Sequence, residues 1–145
     1  MFQAFLIKYG EIGVKGKNRY VFENALVDRM KEVLAETDGT FHIIREQGRI
    51  YVEAEGSFDY DETIEALKRV FGIVGICPVV LTEDHGFEAL SETVLDYMQK
   101  MYGDKTMTFK VMTRRVNKRF PMESMEVNAE LGGRILDQFP NMKVD

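Results

Sequence analysis

The alternation of strand-like and helix-like hydrophobic patterns in the first half of the chain constrains its fold more than any other feature. Residues 3–9 form an apolar run typical of a buried strand, and apolar residues then recur at helical spacing from Phe22 to Leu34. Two more strands are predicted at residues 40–46 and 49–55, joined by a turn at Gln47-Gly48. The first part of the chain therefore reads strand, helix, strand, strand.

A second helix and a fourth strand complete this pattern. Asp59 and Glu62 form a variant of the capping box, which predicts the start of a helix. We expect Gly72 to end this helix and a strand to follow over residues 73–83, with Pro78 placing part of that strand at a sheet edge or a bulge. The helix is expected to bury one face, formed by Ile64, Leu67 and Phe71. The βαββαβ order is that of a ferredoxin-like domain, which we assign to residues 1–76.

The remaining residues, 77–145, predict a second domain of mixed α/β type. Its first helix carries an apolar stripe from Phe87 to Met101 and is expected to end at Gly103. Residues 106–113 alternate as a strand does, with Lys110 on the exposed face. A helix over residues 124–138 and the beginning of another strand follow. So few strands would leave sheet edges unpaired, and we expect this domain to be truncated at its C-terminus.

Composition excludes several classes of protein. No apolar run approaches the roughly 20 residues of a membrane span, the N-terminus lacks the features of a signal peptide, and Cys77 is the only cysteine. These features predict a soluble cytoplasmic protein without disulfides. The net charge of −5 argues against indiscriminate binding of nucleic acid, but it leaves room for a local basic patch.

The glycine-rich loop before the first helix does not fit a nucleotide-binding motif. Glu11 and Asn18 stand where the ATP-binding loop needs a glycine and a Ser or Thr. Cations at Lys15, Lys17 and Arg19 are unfavourable at a helix N-terminus, unless an external anion binds there. Two interpretations remain open: an anion-binding loop, and a loop whose cations extend into water.

A second basic segment gives a stronger signal. Six cations and no carboxylate lie between residues 105 and 119, and Phe120 follows them. Cations contact phosphates and an aromatic ring can stack on an unpaired base, so the cluster favours nucleic-acid binding. For Phe120 alone, packing in the core is the more ordinary explanation. The cations are Lys105, Lys110, Arg114, Arg115, Lys118 and Arg119.

Two glycines, Gly132 and Gly133, interrupt the last predicted helix at a cost of roughly 1 kcal/mol each. They predict that something approaches the helix closely. A packed strand is the ordinary explanation, and the backbone of a ligand is the alternative.

Catalytic and metal-binding signals are absent from the sequence pattern. His42, His85 and Cys77 fall on three separate predicted elements, which gives no metal-ligand spacing. No Ser or Cys has an evident base beside it. We therefore expect this segment to bind a substrate without acting on it chemically, and to hold no cofactor.

Two segments carry a resemblance to a known family. Residues 8–26 and 109–145 closely resemble the N-terminal part of the tRNA 4-thiouridine synthetases, also called thiamine-biosynthesis sulfurtransferases. The second segment is similar to the core of a THUMP domain, an RNA-binding module. The family joins a ferredoxin-like domain, a THUMP domain and a PP-loop ATP pyrophosphatase domain. This chain has no S-G-G-x-D-S-type loop, so the resemblance implies that the catalytic domain, with its ATP and Mg²⁺, is absent from it.

The resemblance also implies a function for the two domains. They would grip the acceptor stem and the 3′ CCA end of a tRNA, so that the uridine at position 8 meets the catalytic domain. The implied RNA-binding positions are Lys15, Lys17, Asn18, Arg19, Lys110, Arg114, Arg115, Lys118, Arg119, Phe120, Gly132 and Gly133. A homodimer and a sulfur-donating cysteine desulfurase are the implied partners of the full-length protein. The rival hypotheses are a ferredoxin-like regulatory module and a dimerisation module, neither of which binds RNA.

Overall fold

A computed structural model describes residues 3–10, 18–46 and 48–145 of the chain. Cα packing divides the chain into two compact units, Met1–Leu81 and Thr82–Asp145. No helix in the described ranges is long and apolar enough to cross a membrane.

The first unit is an antiparallel sheet of four strands with two helices. The strands lie in the order β2-β3-β1-β4, and β1 pairs with both β3 and β4. This confirms the predicted βαββαβ order and its ferredoxin-like topology. The elements are β1 (Ala4–Tyr9), α1 (Asn18–Ala35), β2 (Thr40–Glu46), β3 (Arg49–Glu55), α2 (Tyr60–Lys68) and β4 (Ile73–Val79).

The core of this unit follows from the strand and helix periods. Ile50, Val52 and Ala54 alternate along β3 and are all buried, as the sequence predicts. They share the core with Phe5 of β1 and with apolar side chains of both helices. β4 is an edge strand, so Pro78 sits where its missing N–H is tolerated, as predicted.

The end of α2 differs from the prediction. Asp59 caps the helix as expected, because its side chain accepts a hydrogen bond of 3.0 Å from the N–H of Glu62. The helix ends at Lys68, however, and Phe71 lies beyond it with 83% of its surface exposed. The expectation that Phe71 belongs to the buried face is therefore wrong. Val70, 4% exposed, occupies the core instead.

The second unit packs two helices with a two-stranded parallel sheet. Its elements are α3 (Phe87–Tyr102), β5 (Met107–Phe109), α4 (Ser124–Gln138) and β6 (Met142–Val144). The predicted helices are confirmed, and the last predicted strand is β6. Met98, Ile135, Phe139 and Met142 form its buried cluster. The α/β character predicted for this part of the chain is thus confirmed.

β5 is shorter than predicted. The alternating pattern suggested a strand over residues 106–113, but β5 ends at Phe109. Its only described neighbour, β6, has three residues, so pairing stops there. Lys110 is exposed as expected, but it lies in the segment after the strand. That segment leads directly into the basic residues.

Candidate nucleic-acid interface

Residues 110–123 of the second unit form a surface segment that we call the basic loop. Asn117 organises its tip, since its backbone carbonyl accepts a hydrogen bond of 3.1 Å from the N–H of Phe120. Its side-chain Oδ1 also accepts one of 3.0 Å from the N–H of Arg119. Asn favours such turns because its side chain can bond to the backbone two residues ahead. Lys118 and Arg119 therefore occupy the two central positions of the turn and are exposed.

Arg115 holds the base of the basic loop. Its Nη1 donates to the carbonyl oxygen of Phe120 at 3.1 Å and to that of Met122 at 3.4 Å. Its Nη2 lies 3.2 Å from Oε2 of Glu123, and only 21% of the side chain is exposed. The planar guanidinium suits this role because it donates in several fixed directions at once. Arg115 thus donates hydrogen bonds to carbonyl groups of the loop itself. The sequence predicted a different contact for it, with an RNA phosphate.

Four cations remain at the surface around this anchor. Each of these side chains is exposed, and none forms an ion pair with a residue that the structure describes. Exposed cations on a loop fixed at its base can meet a polyanion without first breaking internal contacts. They are Lys110, Arg114, Lys118 and Arg119.

A cavity of about 180 Å³ lies against the basic loop. Phe120, half-buried, forms part of its wall together with Leu90, Met122 and Val127, and Arg114 stands beside them. Pockets for drug-sized ligands are larger, roughly 300–1,000 Å³, so this one suits a single planar ring. Phe120 therefore lines a space next to the cations, and its stacking on an RNA base stays a prediction.

The glycine pair of α4 is not explained by packing. A Cβ built on Gly132 or Gly133 would meet no atom within 4 Å, apart from chain neighbours and the helix's own backbone, among the residues the structure describes. The expectation that a packed strand approaches these glycines is therefore wrong for this part of the chain. Close approach of an external ligand stays a prediction.

Arg134, which follows the glycine pair, joins α4 to α3. Its guanidinium donates two hydrogen bonds to the Glu88 carboxylate, at 2.8 and 2.9 Å, and a third to the buried Ser91 Oγ at 3.1 Å. It also lies 4.8 Å from the ring centroid of Phe87. These hydrogen bonds lower the pKa of Glu88 and raise the pKa of Arg134. Sequence reasoning missed this contact, because nothing in a one-dimensional pattern pairs residues 46 positions apart.

Only part of the glycine-rich loop before α1 lies among the residues that the structure describes. Lys15 and Lys17 lie outside the described residues, whereas Asn18 and Arg19 begin α1. Arg19 Nη2 donates to the Tyr9 hydroxyl and to the Gly48 carbonyl, both at 3.3 Å. It therefore connects the start of α1 to β1 and to the β2–β3 turn.

Tyr9 and Glu23 complete this contact. The Tyr9 hydroxyl donates a hydrogen bond of 2.8 Å to Glu23 Oε2, and Arg19 Nε lies 3.9 Å from the same oxygen. Burial raises the pKa of Tyr9; the hydrogen bond from Arg19 opposes this shift and the bond to Glu23 adds to it. The Tyr9 hydroxyl thus stays protonated at neutral pH and acts as a structural donor.

A groove of about 670 Å³ opens beside Arg19. Lys8 and Arg49 also line it, which makes three cations around one concave surface. Sequence reasoning singled out Arg19 but missed Lys8 and Arg49. The register supplies the missing signal: Ile7 pairs with Ile50, so Lys8 and Arg49 are adjacent across the strands.

Metal-ligating residues do not cluster in the described ranges, where no three His, Cys, Asp or Glu side chains converge. The two histidines have single carboxylate neighbours instead. His42 Nε2 lies 2.8 Å from Glu55 Oε2, and His85 Nε2 lies 3.3 Å from Glu83 Oε2. Both pairs are exposed at the surface.

Two family models match the chain. The model described as the ThiI ferredoxin-like domain matches residues 4–77, and the model of the THUMP domain matches residues 85–145. Among curated proteins, a probable tRNA sulfurtransferase of Lachnospira eligens is 61% identical over 145 residues. That alignment covers the whole of this chain and 37% of the relative, so the chain spans little more than a third of its length.

Two solved structures resemble the chain as well. One is a crystal structure of a 4-thiouridine synthetase–RNA complex with bound ATP, which matches with a TM-score of 0.79 and 30% identity. It covers all of this chain, which corresponds to 36% of that structure. The other is a protein of Pyrococcus horikoshii, with a TM-score of 0.77 and 34% identity, over 98% of this chain and 46% of that one.

Proposed function

Because this chain belongs to the family of the ThiI ferredoxin-like domain and carries a THUMP domain, we propose that it is the tRNA-binding part of a tRNA sulfurtransferase. The observation that carries the proposal is the basic loop, which presents four exposed cations on a backbone fixed by Arg115. The structural resemblance to a 4-thiouridine synthetase bound to RNA supports the same conclusion.

The chemistry of the basic loop suits a tRNA end. Arg114, Lys118 and Arg119 would contact phosphates, which hold RNA in register without reading its sequence. The cavity beside Phe120 would accept a base from the unpaired 3′ CCA end, because single-stranded bases can leave the stack and insert between side chains. In this role the chain binds the acceptor stem and 3′ end and so positions a distant uridine.

The reaction itself would take place in the rest of the full-length protein. We propose that it is the ATP-dependent formation of 4-thiouridine at position 8, in the cytoplasm, with sulfur supplied by a cysteine desulfurase. ATP and Mg²⁺ would bind in the part that this chain does not contain. A homodimer and a contribution of sulfur to the thiamine thiazole belong to the same proposal.

Fluorescence anisotropy with a labelled tRNA tests the proposal. Wild-type chain is compared with a triple variant, Arg114→Ala, Lys118→Ala and Arg119→Ala, using tRNA with and without its 3′ CCA. A triple variant of exposed lysines elsewhere, Lys31→Ala, Lys100→Ala and Lys143→Ala, removes the same charge and serves as the control.

We expect the basic-loop variant to lose affinity and the control to retain it. Removal of CCA should weaken binding of the wild-type chain. Equal binding by the two triple variants would show that total charge matters and the loop does not. Absence of binding by the folded wild-type chain would refute the proposed function and favour a regulatory or dimerisation module.

A further inference from the structure

Phe71 stands out because a large apolar ring lies almost fully in solvent. It follows α2, where the N–H groups of Arg69 and Val70 still bond to helix carbonyls at 3.2 and 3.1 Å. Gly72 then adopts a φ of +104°, a conformation that side chains rarely allow, and turns the chain into β4. Val70 thereby points into the core and Phe71 points away from it. The turn fixes the ring in an exposed position.

The ring borders a groove of about 580 Å³ in the first unit. Val74, 72% exposed, forms another part of the border, and the half-buried ring of Phe22 lies deeper. Phe22 is itself held by Tyr9, with ring centroids 5.9 Å apart. A Cβ on Gly72 would lie 3.2 Å from the Phe22 ring, so glycine permits the close approach that shapes this wall. The groove is therefore a formed surface with apolar walls.

Positive charge accompanies these apolar walls. Lys68 and Arg69 line the same groove, and no carboxylate is among the lining residues that the structure describes. Lys68 Nζ lies 3.3 Å from Glu65 Oε1, but both side chains are more than 60% exposed, and a surface pair of this kind contributes little. An exposed aromatic ring next to cations is the combination that binds single-stranded nucleic acid.

We propose that this groove is a second RNA-binding site, in which an unpaired base stacks on Phe71 and its phosphate contacts Lys68 and Arg69. The inference rests on the proposed function and assigns it a further subsite. A second copy of this chain is the less favoured occupant. Protein interfaces are depleted in lysine, whereas Lys68 lines this groove beside Arg69.

A tryptophan at position 71 reports stacking directly. The chain contains no tryptophan, so Phe71→Trp introduces a single one, which can be excited selectively over the tyrosines and keeps an aromatic ring in place. Its emission should be quenched when a single-stranded oligonucleotide or the tRNA binds. Val80→Trp is the matched control, because Val80 is also exposed and follows the opposite end of β4, about 20 Å from Val74 at 3.3 Å per residue.

Affinity and salt dependence separate stacking from charge. Phe71→Ala should weaken binding of single-stranded RNA by about 5- to 150-fold, the effect of losing one base–aromatic stack, and leave the salt dependence unchanged. Lys68→Ala with Arg69→Ala should instead reduce the slope of log Kobs against log salt by about 0.7, the value for the one phosphate that both side chains contact. Circular dichroism should show an unchanged fold for Phe71→Ala, since the ring is exposed.

The outcomes distinguish this inference from the proposed function. If wild-type chain binds RNA but Phe71→Ala binds equally well and the tryptophan is not quenched, the groove is not an RNA site and the proposed function stands. If Phe71→Ala lowers the sedimenting mass without affecting RNA binding, a second copy occupies the groove and the inference is overturned. If the wild-type chain binds no RNA, both the inference and the proposed function fail.

Discussion

Replacement of Arg115 by alanine should destabilise the second unit far more than replacement of its neighbour Arg114. Hydrogen bonds from a charged donor contribute about 1.5–3 kcal/mol each. The bond to Phe120 is well formed at 3.1 Å, the one to Met122 is long at 3.4 Å, and the ion pair with the exposed Glu123 adds at most about 1 kcal/mol. We therefore expect Arg115→Ala to lower the free energy of unfolding by about 2–4 kcal/mol. Arg114→Ala, at an exposed position, should change it by less than about 0.5 kcal/mol.

Amide hydrogen exchange in α4 measures this effect within the second unit alone. Val127 is a suitable reporter, because it is buried and its N–H bonds to the Glu123 carbonyl at 3.0 Å. Arg115→Ala should speed its exchange by about 30- to 700-fold, at tenfold for each 1.4 kcal/mol. Arg115→Lys keeps the charge but not the planar guanidinium, and its exchange rate should lie between those of the wild type and Arg115→Ala. Equal exchange rates in the Arg114 and Arg115 alanine variants would refute the assignment of Arg115 as the loop's anchor.

Three further predictions concern stability. Asp59→Ala removes the cap of α2 and should cost about 1 kcal/mol in urea unfolding; an unchanged midpoint would contradict the capping role. Arg134 lowers the pKa of Glu88 in the folded state. Their ion pair therefore stabilises the fold fully at pH values above the unfolded-state pKa of ~4.3, and this contribution is lost as the pH falls through the folded-state pKa. Thermal unfolding of wild type and Glu88→Gln should therefore differ at pH 7 and converge in acid, whereas a constant difference would refute this linkage. Gly72→Ala places a methyl group on a residue with a positive φ, close to the Phe22 ring. The free energy of unfolding of this variant should be lower than that of the wild type by about 1–3 kcal/mol. A variant as stable as the wild type would exclude strain at this turn.

Much of the fold was predictable because local periodicity agrees with tertiary packing. β2 and β3 begin and end where alternation and the Gln47-Gly48 turn predict them. α4 likewise covers the residues whose apolar side chains recur at helical spacing. β3 and α4 each bury one face, and β2 packs the half-buried Phe41 and Ile43 against the core, so the pattern of apolar residues carries the information about the fold.

The errors arose where a pattern continued beyond the element that produced it. Phe71 fits the helical spacing of α2, but the glycine after it lets the chain turn before the ring reaches the core. The alternation continues past Phe109 to Val111, but the pairing of β5 with β6 ends at Phe109 and Val144. Spacing cannot show where pairing or packing partners end.

The candidate site was predictable as a composition but not as an arrangement. The sequence groups the cations of the basic loop, yet it cannot show that Arg115 turns back onto the loop's carbonyls while Arg114 faces solvent. Lys8 and Arg49 are 41 positions apart and meet only through strand register. The number of cations in a segment is therefore a poor guide to the number available for phosphate.

The salt dependence of tRNA binding tests the central claim most directly. The slope of log Kobs against log salt should be steeply negative for the wild-type chain. It should become shallower by about 2 to 3 in the variant lacking Arg114, Lys118 and Arg119, because each lost phosphate contact removes about 0.7–0.9. Binding with a shallow slope, or a slope that is the same in both proteins, would contradict the claim that the basic loop holds the RNA backbone.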